Sequence, residues 1–256
     1  MSAENTAGAP LVAVAHGSAD ARSARAVEAL FERVRALRPD LDVRVAYLDH
    51  VAPEAEEALR GLAAEGAGEA VVLPALLTAA YHSKVDLPAA LDRVREACPW
   101  LRVHYGATLG PHPLLLEALE RRLAQTPGAH GEGTSLVLAS AGSSHADANA
   151  VIADTAAELE RRGPWERVVP AFASAASPTP GEAVAGLYAQ GAPRVAVADY
   201  LLAPGYFADR VAEQAAAEGA VAVAPVLGDA PEVADVVLRR YDEALGRVPV
   251  PDAAAR

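Results

Sequence analysis

Three residues in the first half of the chain could hold a metal ion and accept protons together: His16, Asp49 and His82. An imidazole titrates near ~6.5, so it takes protons at neutral pH and, when neutral, ligates a divalent cation. Two facing imidazoles oppose double protonation, which keeps one lone pair available. With the carboxylate, the set offers two nitrogen ligands, one oxygen ligand and no thiolate. That is a poor structural zinc site and a suitable one for Fe2+, Co2+ or Ni2+ with open positions. Open positions suit transient holding of a metal, not storage.

A second copy of the same pattern lacks all three. Residues 11–85 align with 136–210 at an offset of 125, so LVAVAHGS falls on LVLASAGS and VRVAYLD on VVPAFAS. Scaffold residues persist: Gly17/Gly142, Ser18/Ser143, Pro53/Pro178, Gly61/Gly186, Gly66/Gly191 and Tyr81/Tyr206. The chemical residues do not: His16 meets Ala141, Asp49 meets Ser174 and His82 meets Phe207. The repeat resumes at an offset of 118, where Leu109, Gly110 and Pro113 match Leu227, Gly228 and Pro231. The scaffold therefore does not need these imidazoles, and one working site with one blank is expected.

Positioning them is the task of a repeated strand–helix pattern. Short apolar runs at 11–15, 43–48, 70–76 and 102–107 read as strands, with helices at 20–37, 54–65, 85–97 and 113–124 between them. The second half repeats this with strands at 136–140, 167–172, 194–201 and 221–226, and helices at 146–162, 180–190, 206–218 and 231–245. Alternation of this kind predicts an α/β fold: two tandem, pseudo-symmetric three-layer βαβ domains, each with a mostly parallel four-stranded sheet. The domains are expected at 10–124 and 135–248, with 125–134 (QTPGAHGEGT) as linker. In such sheets ligands bind outside the carboxyl ends of the strands. His16, Asp49 and His82 each follow a strand, so all three emerge at one edge.

Composition narrows the function. Hydrophobic residues make up 52% and aromatics only 5%, so Ala, Val and Leu fill the core. A net charge of −12 without Lys/Arg clusters argues against nucleic acid as partner. The single Cys98 forms no intramolecular disulfide. No apolar run approaches the ~20 residues of a membrane span, and the first ten residues lack a signal-peptide pattern. A cytoplasmic, membrane-free protein is expected. No GxxxxGK[ST], GxGxxG, HExxH or CxxC motif is present, which leaves nucleotide use and acyl transfer with little support.

Other residues read as supporting cast. Gly17 permits a tight turn, and Ser18 or Asp20 can cap the following helix, whose free N–H groups favour anions. Asp86 is expected to cap the helix after His82. Lys84 is the only lysine of the chain. His50, His104, His112, His130 and His145 read as surface or structural histidines.

The segments VAHGSADARSAR, AYLDH and PALLTAAYHSKVDLPAAL resemble the class II tetrapyrrole chelatases, in the long form with a degenerate second half. The resemblance implies that His16 and His82 bind metal and act in catalysis, and that Asp49 stands where relatives often carry Glu. It implies a sirohydrochlorin substrate, Fe2+ or Co2+ as substrate metal, and no permanently bound cofactor. Metal insertion fits the residues, since the macrocycle must lose two pyrrole protons while the metal sheds its ligands. A polycarboxylated substrate and an acidic protein call for a locally basic lining. Ser18, Arg22, Arg25, Lys84 and Arg210 are the candidates for its carboxylates, with Tyr206 and Phe207 as aromatic wall. Because the repeats would supply both walls, a monomer is expected. A non-catalytic metal or tetrapyrrole carrier, and an anion-binding α/β module using the HGS turn, are the competing readings.

Overall fold

The computed structural model describes residues 8–79 and 85–247. The first half runs β1 (Leu11–Ala15), α1 (Ala21–Leu37), β2 (Val43–Tyr47), α2 (Ala55–Ala64), β3 (Glu69–Pro74), α3 (Leu87–Ala97), β4 (Arg102–Tyr105) and α4 (Pro113–Ala124). The second half runs β5 (Thr134–Ser140), α5 (Ala146–Arg162), β6 (Val168–Phe172), α6 (Pro180–Ala189), β7 (Arg194–Asp199), α7 (Tyr206–Ala217), β8 (Ala222–Val223) and α8 (Pro231–Ala244). Every element expected from the sequence is present in its expected place. β8 is only two residues long, because Pro225 has no N–H to extend the ladder.

Both sheets are parallel and wound alike, β2-β1-β3-β4 and β6-β5-β7-β8. Their registers match at the same offset as the sequences: Leu11 pairs with Val43, and Leu136 with Val168. β1 (LVAVA) is buried along its whole length, as a parallel strand covered on both faces must be. α1 buries Val27, Leu30, Phe31 and Val34, the stripe that a 3.6-residue period places on one face. Asp20 caps it by accepting the N–H of Arg22 at 2.8 Å. α6 starts with a full capping box, Thr179 with Glu182, and Pro180 in its first turn.

The outer layers are local. α2 and α3 cover the first sheet through Leu59, Leu62, Leu87 and Leu91. α6 and α7 cover the second through Val184, Leu187 and Val211. The inner layer is shared. α4 packs mainly on α8 and β7, and α8 on α4, α1 and β3, so each half's last helix reaches the other half's sheet. The exchange is symmetric at side-chain level. Arg122 of α4 donates to the Leu227 carbonyl at 2.8 Å, and Arg240 of α8 donates to the Leu109 carbonyl at 3.3 Å. Tyr241 of α8, fully buried, donates to the Ala9 carbonyl at 2.8 Å. One continuous core results, spanning α1, α4, α5, α8 and the facing sides of both sheets. The sequence boundary at 124/135 marks the repeat, but the packing crosses it.

One buried group sets a pH dependence. Asp199 ends β7, is 3% exposed, and its Oδ1 has no hydrogen-bond partner. Its repeat counterpart is Pro74. Burial pushes the Asp199 carboxyl up to about 8. The folded state then holds a proton that the unfolded chain releases above its ordinary value near 3.8. Stability associated with this group is therefore complete below that value and declines as pH rises to about 8. Asp199→Asn should stabilise the protein by about 2 kcal/mol or more at pH 8, and by little at pH 4. Urea unfolding at the two pH values checks this, and an equal effect at both would contradict it.

Candidate active site between the strand ends

The carboxyl ends of both sheets face one cleft of about 720 Å³. β1 and β3 are neighbours whose connections leave in opposite directions, as do β5 and β7, and such switch points are where open α/β sheets bind ligands. The first half contributes the loop after β1, residues 75–78 after β3, and His50 after β2. The second contributes residues 140–145, Ala175 and the stretch 200–208.

The loop after β1 is built on a backbone contact. Gly17 has φ +87°, and a Cβ there would lie 1.8 Å from the Asp49 carbonyl oxygen. Only glycine gives both the left-handed turn and the close approach. The Asp49 N–H donates to the His16 carbonyl at 3.1 Å, tying the two strand-end loops together. The second half repeats the device: Gly142 has φ +83°, its Cβ would lie 2.0 Å from the Ser174 carbonyl, and the Ser174 N–H donates to Ala141 at 2.9 Å. The loops after β2 and β6 also match, with His50 at φ +63° and Ala175 at φ +56°, and cis bonds at Ala52–Pro53 and Ser177–Pro178.

On this common frame the side chains differ. His16 lines the cleft, and its Nδ1 stands 3.1 Å from the Gly17 carbonyl. A carbonyl oxygen only accepts, so Nδ1 carries the hydrogen and a neutral ring keeps its lone pair on Nε2. Asp49 does not line the cleft. Its Oδ1 accepts the His50 N–H at 2.7 Å, and its Oδ2 lies 3.3 Å from His50 Nε2. His50 itself lines the cleft, contrary to the surface role expected for it. The repeat contrast already held the signal, since His50 meets Ala175 as His16 meets Ala141. His145, expected to be structural, also lines the cleft from the second half. His82, Lys84 and Tyr81 lie outside the described residues. Among those described, no group of three metal-ligating side chains is assembled.

The remaining expected contacts separate into two sets. Ser18, Tyr206 and Phe207 line the cleft, with the two aromatic rings 5.5 Å apart and edge-on. Arg22, Arg25 and Arg210 do not. Arg22 is engaged by Asp20 and by Asp209 of α7, each at 2.5 Å, joining the starts of α1 and α7. Its hydrogen bonds hold both carboxyls below their ordinary range. Arg210 donates to the Tyr206 hydroxyl at 3.1 Å, propping the aromatic wall. No Lys, Arg, Asp or Glu stands among the described lining residues, so Arg22, Arg25 and Arg210 do not form the basic lining expected there. The polar groups are hydroxyls, imidazoles and an amide; Ser18, His145 and Tyr206 among them stand at the starts of α1, α5 and α7, where the helix dipole favours anions. Elsewhere, His112 caps α4 by accepting the Leu114 N–H at 3.1 Å, while Asp86 makes no side-chain cap bond to α3.

Two parallel α/β repeats that share one histidine-bearing cleft at their strand ends define a two-repeat protein of the chelatase fold. The CbiX family model matches residues 10–126 and again 135–244, and the chain belongs to that family. It is similar to the sirohydrochlorin cobaltochelatase of Priestia megaterium, 29% identical over 177 residues, which are 67% of this chain and 57% of that protein. It is also similar to the sirohydrochlorin ferrochelatase of Bacillus subtilis, 26% identical over 234 residues, 90% of this chain and 89% of the other. Among solved structures, SirB from Bacillus subtilis with Fe3+ superposes with a TM-score of 0.82 at 25% identity, over 92% of this chain and 94% of that one. The chain thus spans little more than half the length of the cobaltochelatase.

The Gly17 contact makes a direct prediction. Gly17→Ala should destabilise the protein by about 3 kcal/mol or more, because strain at positive φ adds to a backbone collision. Gly66→Ala, at φ +93° with open space around it, should cost about 1–2 kcal/mol. Chemical denaturation of the two variants separates strain from collision, and equal losses would rule out the collision.

Proposed function

We propose that the protein inserts a divalent metal, Fe2+ or Co2+, into sirohydrochlorin without ATP. The observation that carries this reading is the asymmetry of the cleft. Two copies of one backbone face each other, and only one carries the imidazoles His16 and His50, where the other has Ala141 and Ala175. The relatives named as sirohydrochlorin chelatases support the substrate class.

In this reading the metal is a substrate. His16 Nε2 receives it, with Nδ1 anchored on the Gly17 carbonyl so that the ring presents a lone pair. His82 is the second metal-binding and catalytic imidazole. It aligns with Phe207, which lines the cleft, and that supports placing it at the same edge. The two rings accept the pyrrole protons as the metal enters. Asp49 orients His50 rather than ligating directly, in keeping with its paired contacts to that residue. Tyr206 and Phe207 offer the macrocycle an aromatic surface, and Ser18 donates to its carboxylates. Lys84 is a further carboxylate contact. Arg22, Arg25 and Arg210 act at the rim. The single chain supplies both walls, so the working unit is a monomer. Among the described residues no helix is long and apolar enough to cross a membrane, which agrees with a cytoplasmic enzyme.

An anaerobic absorbance assay with sirohydrochlorin and Fe2+, Co2+ or Ni2+ in turn tests the reading. His16→Ala and His82→Ala should each lower kcat/KM by about a hundredfold or more. The unfolding midpoint should stay within about 2 °C, because Ala141 and Phe207 already occupy those positions in the sister repeat. Full activity in either variant would remove that residue's role. Absence of acceleration by the unaltered protein would make it a carrier.

A further inference from the structure

The half of the cleft without metal-binding histidines has acquired a different set of side chains on the same backbone. At matched positions, Ala15 becomes Ser140, His16 becomes Ala141, Ala19 becomes Ser144, Asp20 becomes His145 and Ala24 becomes Asn149. Each of these five changes removes a ligating or anionic group or adds a hydrogen-bond donor, while the lining pair Ser23 and Ala148 loses one hydroxyl. We infer that the strand-end loop 140–145 is a carboxylate-binding subsite that holds acidic side chains of the macrocyclic substrate. This deepens the chelatase reading, and rests on it for the identity of the ligand.

Ser140 points to a ligand most directly. It is 4% exposed, lines the cleft, and its Oγ has no partner. Leu136 and Leu138 of the same strand face the inner core, so alternation turns Ser140 to the cleft side as well. A buried hydroxyl without a partner lowers stability, since its desolvation is not offset by a hydrogen bond. The sister repeat folds with Ala15 at this position, so the fold does not require it. A hydroxyl kept there at a cost to stability suits an acceptor that arrives with substrate.

The surrounding loop is pre-organised. Asn149 Oδ1 accepts the Ser143 N–H at 3.0 Å, its Nδ2 donates to the Ser143 carbonyl at 2.7 Å, and the His145 N–H donates to Ser143 Oγ at 3.1 Å. The loop leads into α5, a helix of 17 residues, whose first N–H groups favour a negative charge. Where the first repeat puts the Asp20 carboxylate at the helix mouth, this one puts an imidazole that can donate. Asp147, the acid in the first turn of α5, does not line the cleft.

The test measures binding of metal-free sirohydrochlorin to the full chain by absorbance. Ser140→Ala should raise Kd about threefold or more while leaving the unfolding midpoint at or above that of the unaltered protein. The triple variant Ser140→Ala, Ser144→Ala, His145→Asp, which rebuilds the first repeat's residues at those positions, should raise Kd at least tenfold. The methyl-esterified macrocycle should bind all forms alike. Wild-type affinity in the triple variant, the same loss for the ester, or failure of the unaltered chain to bind sirohydrochlorin would overturn the subsite. If the chain binds sirohydrochlorin but does not accelerate metal insertion, the chelatase reading fails, and the subsite is decided by the Kd ratios alone.

Discussion

The exchange of α4 and α8 between the two sheets is the constraint on which the cleft depends. Each sheet is wound so that its ligand-binding edge lies at the carboxyl ends of its strands, but nothing within one sheet aims that edge at the other. The crossed helices do. Arg122 and Arg240 reach equivalent carbonyls, Leu227 and Leu109, on opposite halves. The core they close is continuous, with Leu115, Leu119, Val233 and Val237 buried in one cluster. Moving one sheet against the other would open that core. The cleft walls are therefore fixed by packing, and side chains on the loops 16–20 and 141–145 can differ on a backbone that is held in place.

Duplication on a shared backbone separates what the fold needs from what the chemistry needs. The glycines at 17 and 142 meet carbonyls at 1.8 and 2.0 Å from where a Cβ would be, and they are retained. His50 and Ala175 share a positive φ, although neither is glycine. The backbone thus keeps its geometry after the imidazole is gone, which makes that imidazole unnecessary for folding. The converse holds in the second half, where Asp199 stands against Pro74 and Ser140 against Ala15. Both are buried polar groups with unpartnered atoms, in a protein whose other copy dispenses with them.

Much of this was legible in the sequence, because parallel strands buried on both faces read as plain apolar runs such as LVAVA, and amphipathic helices fall between them. The repeat offset then located the strand ends and with them His16. Two features were not legible, and a third was legible only through the repeat. Helix exchange leaves no local signature, since α4 and α8 show the same apolar stripe whichever sheet they cover. A histidine beside a turn aspartate has an ordinary surface explanation, and only its loss at Ala175 in the second repeat marks His50, which stands at positive φ and lines the cleft. That no arginine stands among the described lining residues could not be inferred either. Net charge says nothing of local pairing, and Arg22 is bound by Asp20 and by Asp209, 187 residues away.

A cleft without formal charge among its described lining residues suits the proposed reaction better than a basic one. An arginine grips a carboxylate through paired, charge-assisted bonds and is hard to release. It would also repel an incoming divalent cation across a site whose dielectric is well below that of water. Hydroxyls, imidazoles and helix N-termini offer weaker, directional donors without a full positive charge beside the metal. With no arginine and only neutral donors among the described lining residues, an anionic macrocycle and a cation can share that part of the cleft.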